Sequence, residues 1–180
     1  MRIAVILGST RPGRRSEAVG QWVVDVANAR TDASFELIDL AEVNLPFLDE
    51  PVPAIVGEYA HAHTREWAAR IAPYDGFVFI TPEYNHSFPA VLKNALDYLY
   101  AEWNDKAAGF VSLGGHGGLR AVEHLRLVLA ELKVATVRSQ VAFARGDLQD
   151  GLRQDEELNA MLDELVAWAS ALRSVRAVAA

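Results

Sequence analysis

The sequence lacks three features that would each place the protein in a particular class. It has no cysteine in 180 residues, which excludes disulfides, thiolate metal sites and thiol redox chemistry and agrees with a cytoplasmic location. Its first apolar run is short, because Arg2 is followed by only five apolar residues before Gly8; we therefore expect neither a signal peptide nor a membrane span. It has no excess of basic residues, since the net charge is -7. We therefore expect neither nucleic acid nor an anionic membrane surface as a partner.

Several familiar catalytic motifs are also missing. No G-x-G-x-x-G fingerprint follows the first apolar run, which argues against a dinucleotide-binding domain. No G-x-S-x-G elbow surrounds Ser112, because Phe110 stands where the first glycine is required, so a serine hydrolase is unsupported. The turn GSTRPGRRS has the glycine spacing of a nucleotide-triphosphate loop, but Arg14 and Arg15 replace the Lys and the Ser/Thr of that motif. A nucleotide-triphosphate enzyme therefore remains only as a weak hypothesis.

The sequence does contain a turn suited to an anion, at residues 8–16. It follows the apolar run Ile3–Leu7 and precedes a helical pattern that begins near Ser16. Glycines allow close approach of the backbone, hydroxyl groups donate hydrogen bonds, and a helix N-terminus presents free N–H groups with partial positive charge. Arginines at this end oppose the helix dipole, so a bare solvated turn explains them poorly. The turn predicts a phosphate site formed by Ser9, Arg11, Arg14, Arg15 and Ser16.

The rest of the chain alternates apolar strands with amphipathic helices. Apolar runs predict strands at 3–7, 35–38, 76–81, 107–113 and 134–143, and the helical period predicts helices at 16–30 and 57–72, from Pro89 onward, and through 122–132 and 158–172. Residues 40–56 contain three prolines and predict a long surface loop, and Asp39 before it is interpreted as a loop or capping residue. Parallel strands need crossovers, which helices supply. The pattern therefore predicts one α/β domain over 1–180, with a doubly wound, mostly parallel, five-stranded sheet.

Unusual loops follow the first, third and fourth predicted strands. The second of these loops, PEYNHSF, begins after Thr81, and the third, GGHGG, begins after Leu113. In doubly wound sheets, ligands bind beyond the carboxyl ends of the strands at the point where the strand order reverses. We therefore expect the three loops to surround one crevice.

Together, the segments GSTRPGRRS, PEYNHSFPAVLKNALDYL and SLGGHGG resemble the NAD(P)H-dependent FMN reductase family of flavodoxin-like proteins, which includes quinone, azo-dye and chromate reductases. The resemblance extends from Arg2 to Phe143, and the second segment is its most specific part. It implies a strand order of 2-1-3-4-5, bound FMN, and hydride transfer from NADPH or NADH to an acceptor such as a quinone, free flavin, azo compound or metal oxyanion. It also implies a homodimer or homotetramer. The chain departs from the family at Ala18, where Asn is common.

The resemblance also implies roles for the three loops. The first loop would hold the FMN phosphate, the second would line the flavin ring after a start stiffened by Pro82, and the third would bring backbone N–H groups close to the cofactor. Neither a catalytic acid or base nor a metal is required, because hydride passes through the flavin. The expected cofactor-binding residues are Ser9, Arg11, Arg14, Arg15, Ser16, Pro82, Glu83, Tyr84, Asn85, Ser112, Gly114, Gly115, His116 and Gly117.

A second hypothesis from a different class is a non-enzymatic electron carrier of flavodoxin type. Such a protein would also bind FMN, but NAD(P)H would not reduce it directly. Two other groups of residues receive structural interpretations. His61 and His63 lie two positions apart on a predicted helix, so they are expected on nearly opposite faces and not as a metal pair. Tyr98, Tyr100 and Trp103 follow a stripe of smaller buried residues; they are interpreted as a subunit contact, with a place in the core as the alternative.

Overall fold

The computed structural model describes residues 1–149 and 151–179. Its centre is one sheet of five parallel strands in the order β2-β1-β3-β4-β5. The strands are β1 (Arg2–Leu7), β2 (Ser34–Asp39), β3 (Gly76–Pro82), β4 (Lys106–Leu113) and β5 (Val134–Phe143). The doubly wound parallel sheet and its strand order are therefore confirmed.

Helices connect the strands and cover both faces of the sheet. They are α1 (Ser16–Ala27), α2 (Leu40–Val43), α3 (Ala62–Ile71), α4 (Ala90–Asp97), α5 (Leu119–Glu131) and α6 (Asp155–Ala179), with single 3-10 turns at Ala54–Val56 and Asp147–Gln149. Within the described residues, no helix has both the length and the apolar composition needed to cross a membrane. The short helix α2 was not predicted. It begins where Asp39 accepts a hydrogen bond from the Ala41 N–H at 2.9 Å, which confirms the capping role of Asp39.

The sheet divides the core into two layers. Helices α1 and α6 pack on one face and α3, α4 and α5 on the other. Strand β3 shows how the sequence produces this arrangement, because Val78 and Ile80 face the first layer while Phe77 and Phe79 face the second. All four side chains are fully buried. This is the expected pattern for a central parallel strand, whose two faces are both covered.

Helix α3 begins later than predicted, and this changes the geometry of the histidines before it. Gly57 adopts a left-handed conformation that ends the preceding 3-10 turn, and the Glu50 carboxylate accepts hydrogen bonds from the N–H groups of Ala60 and His61. His61 is therefore extended and lies outside the helix. Its ring stacks on that of His63, with centroids 5.2 Å apart. The prediction that the two histidines occupy opposite faces was wrong, because it assumed that both lie on the helix.

The aromatic residues after α4 belong largely to the core. Tyr98 and Trp103 are fully buried, and the Trp103 ring contacts Phe77 with centroids 4.9 Å apart. The Trp103 indole donates to the Leu96 carbonyl at 3.2 Å, and the Tyr98 hydroxyl donates to Asp49 at 2.9 Å. The interpretation of these two residues as a subunit contact was wrong. Helix α4 ends at Asp97, and Tyr98 and Trp103, which follow it, pack in the same layer of the core as the buried side chains of α4.

Strand β5 contains a bulge at residues 137–139, where its register to β4 shifts. The Arg126 guanidinium, from α5, donates to the carbonyls of Val137 at 2.7 Å and Arg138 at 3.3 Å. From the other face, the Glu164 carboxylate of α6 accepts a hydrogen bond from the Ser139 N–H at 3.2 Å. Two helices therefore supply the hydrogen bonds that the bulge removes from the sheet.

Candidate functional site

A crevice of about 620 Å³ opens at the carboxyl edge of the sheet. Loops after β1, β3, β4 and β5 form its walls, and its size is typical of pockets that hold cofactors. Among the predicted site residues, the wall includes Ser9, Arg11, Arg14, Arg15, Ser16, Pro82, Glu83, Tyr84, Gly114 and Gly115. The expected convergence of the three loops on one crevice is therefore observed.

The N-terminus of α1 presents unused hydrogen-bonding capacity to this crevice. The residue before the helix, Arg15, contributes no side-chain cap. The first helical residue, Ser16, is only 3% exposed, yet its hydroxyl has no hydrogen-bond partner among the described residues. A buried polar group without a partner is costly and uncommon. The arrangement is therefore suited to an anionic group that would accept hydrogen bonds at this point.

The three arginines of the first loop have different environments. Arg14 is largely buried, and its guanidinium contacts Asp39 at 2.5 Å and Glu17 at 2.7 Å. Arg11 and Arg15 are exposed at the crevice wall, and neither forms a salt bridge with a described residue. Arg14 therefore fixes the loop to the end of β2. Within this loop, the positive charge that remains available to a ligand comes from the other two arginines.

Ser9 connects the first loop to the loop after β3. Its side chain is buried, and its hydroxyl oxygen lies 2.9 Å from the Tyr84 hydroxyl oxygen. The Ser9 hydroxyl also accepts a long hydrogen bond of 3.4 Å from the Arg11 N–H. Ser9 therefore positions the phenol ring of Tyr84 at the crevice wall.

Tyr84 begins a two-residue hairpin turn. Its backbone exchanges hydrogen bonds with Ser87, at 2.8 and 3.1 Å. The central residues Asn85 and His86 have φ values of 51° and 71°, as in a type I′ turn. Asn tolerates this conformation, whereas His adopts it at a cost of about 1–2 kcal/mol. The turn directs Asn85 to solvent and outside the crevice wall.

The Glu83 carboxylate contacts the start of α5. It accepts hydrogen bonds from the Arg120 side-chain Nε at 2.7 Å and from the Arg120 backbone N–H at 3.2 Å. Burial acts to raise the pKa of Glu83, but the hydrogen bonds and charge of Arg120 outweigh it, so the pKa is lower than usual. The preceding cap residue Gly118 has no side chain, and the first turn of α5 carries no acidic residue. Glu83 therefore caps α5 from another loop and is also one of the residues that border the crevice.

The glycine loop contributes only part of its predicted residues to the wall. Gly114 and Gly115 border the crevice, whereas Ser112, His116 and Gly117 do not. The buried Ser112 hydroxyl donates to the Gly117 carbonyl at 2.6 Å and so fixes the shape of the loop. His116 is exposed. A Cβ atom on Gly114 would lie only 2.8 Å from a backbone nitrogen of the same loop, so the close turn requires glycine.

The prediction missed two parts of the site. The first is the end of β5 with the loop after it, which together contribute Phe143, Ala144, Arg145 and Leu148 to the crevice wall. The position of this loop at the carboxyl edge of the sheet could have indicated that it borders the crevice, but the loop contains no conspicuous motif. The second is Arg120, which lies behind the wall and contacts Glu83. A cation in the first turn of a helix opposes the helix dipole, as for the arginines of the first loop, and this signal could have identified it.

Comparison with known proteins identifies the family. Residues 1–147 match the family model described as NADPH-dependent FMN reductase. The chain belongs to this family. It is 37% identical over 177 residues to an NAD(P)H-dependent FMN reductase of Schizosaccharomyces pombe, covering 97% of this chain and 85% of that protein. It is also 31% identical over 171 residues to a quinone reductase of Escherichia coli K12, covering 91% and 86% of the two chains.

A solved structure supports the fold of this family member. The flavoenzyme NAD(P)H:(acceptor) oxidoreductase of Paracoccus denitrificans is similar with a TM-score of 0.75 and 22% identity, covering 94% of this chain and 97% of that one. The resemblance drawn from the loop motifs is confirmed. Because the family consists of reductases, the protein is an enzyme. This decides against both the non-enzymatic electron carrier and the nucleotide-triphosphate enzyme.

Proposed function

We propose that the protein is an FMN-dependent oxidoreductase, which passes a hydride from NADPH or NADH through bound FMN to a small-molecule acceptor. The observation that carries this proposal is the buried hydroxyl of Ser16 at the uncapped start of α1, which has no hydrogen-bond partner in the described part of the chain. With Arg11 and Arg15 beside it on the crevice wall, this position fits a single terminal phosphate. The names of the family and its relatives supply the rest of the chemistry.

Different residues of the crevice would bind different parts of the cofactor. Arg11, Arg15 and Ser16, together with N–H groups of α1, would hold the phosphate through charge-assisted bonds of about 1.5–3 kcal/mol each. Tyr84, held by Ser9, would supply a flat wall for the ring. When bound, FMN supplies the capacity to accept and donate two electrons as hydride. The protein supplies position and electrostatics, and no side chain acts as an acid or base.

Quinones and azo compounds are the acceptors that the relatives support best, since some are named quinone reductase and azoreductase. Free flavin and metal oxyanions complete the proposed range. We also propose a homodimer or homotetramer in the cytoplasm. The exposed apolar side chains of Phe47 and Ile55, 82% and 65% exposed, support a subunit contact near the loop before α3. Light scattering after gel filtration measures the assembly directly.

Titration of the apoprotein with FMN and with riboflavin tests the cofactor site. The two ligands share the ring and the ribityl chain and differ only in the phosphate. We expect FMN to bind at least tenfold more tightly, because about 1.5–3 kcal/mol is typical of one bond to a charged group. NADPH or NADH should then bleach the visible absorption of the complex without oxygen, and benzoquinone should restore it. A protein that binds FMN no better than riboflavin, or does not oxidise NAD(P)H, would refute the proposal.

A further inference from the structure

Arg120 joins the start of α5 to Glu83 and His86, which lie on either side of Tyr84 in the loop after β3. Its backbone lies in the first turn of α5, its Nε donates to Glu83 at 2.7 Å, and its Nη1 lies 2.9 Å from the Nε2 of His86. Its Nη2 forms a salt bridge with the same carboxylate. Arg120 itself does not border the crevice. It therefore holds the residues on both sides of Tyr84 from behind the wall.

The contact between Arg120 and His86 pairs a donor with an acceptor. A guanidinium only donates hydrogen bonds, so the His86 Nε2 is the acceptor in this contact. His86 is also the residue with the less favourable left-handed φ, 71°. A conformation of this kind persists only where surrounding contacts maintain it. Arg120 supplies such a contact at the strained residue of the turn.

Glu83 is the other point of attachment. Its side chain is only 6% exposed, and a buried carboxylate that loses its cation is strongly unfavourable. Without Arg120, Glu83 would have to move to solvent or take up a proton. Tyr84 follows Glu83 directly, so movement of Glu83 would displace the phenol ring from Ser9. The position of the ring wall therefore depends on a residue outside the crevice.

We propose that Arg120 is a positioning residue, which fixes the Tyr84–Ser87 turn through Glu83 and His86 and thereby shapes the part of the crevice that receives the flavin ring. This inference rests on the proposed FMN site. The inference distinguishes the ring side of the site from its phosphate side. A defect on the ring side weakens the binding of FMN and riboflavin equally, whereas a defect on the phosphate side weakens the binding of FMN alone.

The experiment measures the Kd of FMN and of riboflavin for apoprotein variants by quenching of flavin fluorescence. Arg120→Gln should raise both Kd values by the same factor, roughly tenfold, which is within the range of coupled neighbouring residues. Arg138→Gln serves as the matched control, since Arg138 is exposed on β5 and its side chain does not border the crevice; both Kd values should stay unchanged. Arg120→Lys should recover part of the loss, because lysine keeps the charge but not the forked contacts.

The double variant Glu83→Gln/Arg120→Gln separates positioning from general destabilisation. It removes the buried carboxylate together with its cation, so it should bind both ligands more tightly than Arg120→Gln alone. It also provides a folded protein for the test if the single variant does not fold. Circular dichroism of each apoprotein identifies that case.

Three results would overturn the inference. They are equal Kd values for Arg120→Gln and Arg138→Gln, a loss confined to FMN, and a double variant no better than the single one. Failure of the proposed function is a separate result, because the unsubstituted protein would then not prefer FMN to riboflavin.

Discussion

The two edges of the sheet differ in whether their charged residues are all paired within the described part of the chain, because the carboxyl edge has unpaired arginines beside its internal ion pairs of Arg14 with Asp39 and of Arg120 with Glu83. At the amino edge, Asp75 accepts hydrogen bonds from the Arg2 N–H at 3.0 Å and from the Arg176 guanidinium at 2.6 Å. The buried Lys106 ammonium donates to the Ile71 carbonyl at 3.1 Å. These groups are satisfied by the protein itself. At the carboxyl edge, by contrast, Arg11 and Arg15 have no salt bridge with a described residue, and the Ser16 hydroxyl has no partner among the described residues.

The difference separates stability from binding. Charges that are paired within the chain connect α6 to the sheet, so their loss should lower the free energy of unfolding. Charges that are left for a ligand oppose the helix dipole in the free protein, so their loss should weaken cofactor binding without destabilising the apoprotein. Substitutions at the two edges can therefore test whether this distinction holds.

The largest effect on stability is expected from Asp75→Ala. It leaves the partly buried Arg176 and the buried Lys106 without their nearest anion, and breaking a buried ion pair typically costs about 3–5 kcal/mol. Urea denaturation of the apoprotein should show this loss, with Asp25→Ala, an exposed site on α1, as the control. The FMN affinity of the folded protein should not change. A selective loss of FMN affinity would contradict the separation of the two edges.

Arg11→Ala is expected to have the opposite profile. The Kd of FMN should rise by at least tenfold, since bonds to charged groups contribute about 1.5–3 kcal/mol, while that of riboflavin stays constant. The apoprotein should be as stable as before, or more stable by about 0.3–1 kcal/mol, because a cation leaves a helix N-terminus. Arg2→Ala is the control, since its side chain pairs with Glu36 at the surface and such pairs contribute little. Equal losses of FMN affinity in the two variants would exclude Arg11 as the anchor.

Because Lys106 is buried at the amino edge, we expect it to make the free energy of unfolding depend on pH. Burial and the positive charge of Arg176 lower the pKa of Lys106 to about 8, whereas an unfolded chain has a lysine pKa of about 10.4. Between these values the unfolded state binds more protons, so the free energy of unfolding should rise with pH, by at most about 1.4 kcal/mol per pH unit. Denaturation series from pH 7.5 to pH 10 should show a smaller rise for Lys106→Met. Parallel curves for the two proteins would contradict this assignment.

Two serines give the smallest and sharpest comparison. Ser16→Ala removes a hydroxyl that has no partner within residues 1–149 and 151–179, so the Kd of FMN should rise about fivefold, from the loss of about 1 kcal/mol, while the apoprotein is not destabilised. Ser112→Ala removes a hydroxyl bonded to Gly117, so it should lower the free energy of unfolding of the apoprotein by about 1 kcal/mol. Isothermal titration and urea denaturation of both variants measure the two effects. Similar profiles for the two serines would mean that the Ser16 hydroxyl is not reserved for a ligand.

The fold could be predicted from the sequence because the local hydrophobic patterns and the rules for connecting parallel strands lead to the same arrangement. Continuous apolar runs such as Gly76–Thr81 are typical of central parallel strands, and the helices between them require crossovers. The doubly wound rule then placed three loops at one edge, although those loops are distant in sequence. Ser16 and Tyr84 could be expected at the crevice wall because their motifs begin directly at strand ends, and the structure places both there.

Other parts of the site depend on contacts that no local pattern records. The pairing of Glu83 with Arg120 joins residues 37 positions apart, and spacing along the chain does not indicate it. Arg14 had the same local features as Arg11, yet the structure pairs Arg14 with Asp39, at the end of a strand that is adjacent only in the folded sheet. His61 was misplaced because the Glu50 carboxylate, from a remote part of the loop, holds the backbone extended.

The bulge in β5 also affects whether two copies of the chain can pair through their edge strands. β5 is an edge strand, and unpaired carbonyls on such a strand can pair with a strand of another molecule. Arg126 occupies the carbonyls of Val137 and Arg138, and Glu164 occupies the Ser139 N–H. The middle of the edge therefore offers few free groups to an incoming strand. The same hydrogen bonds that compensate for the bulge therefore leave fewer backbone groups for pairing between molecules.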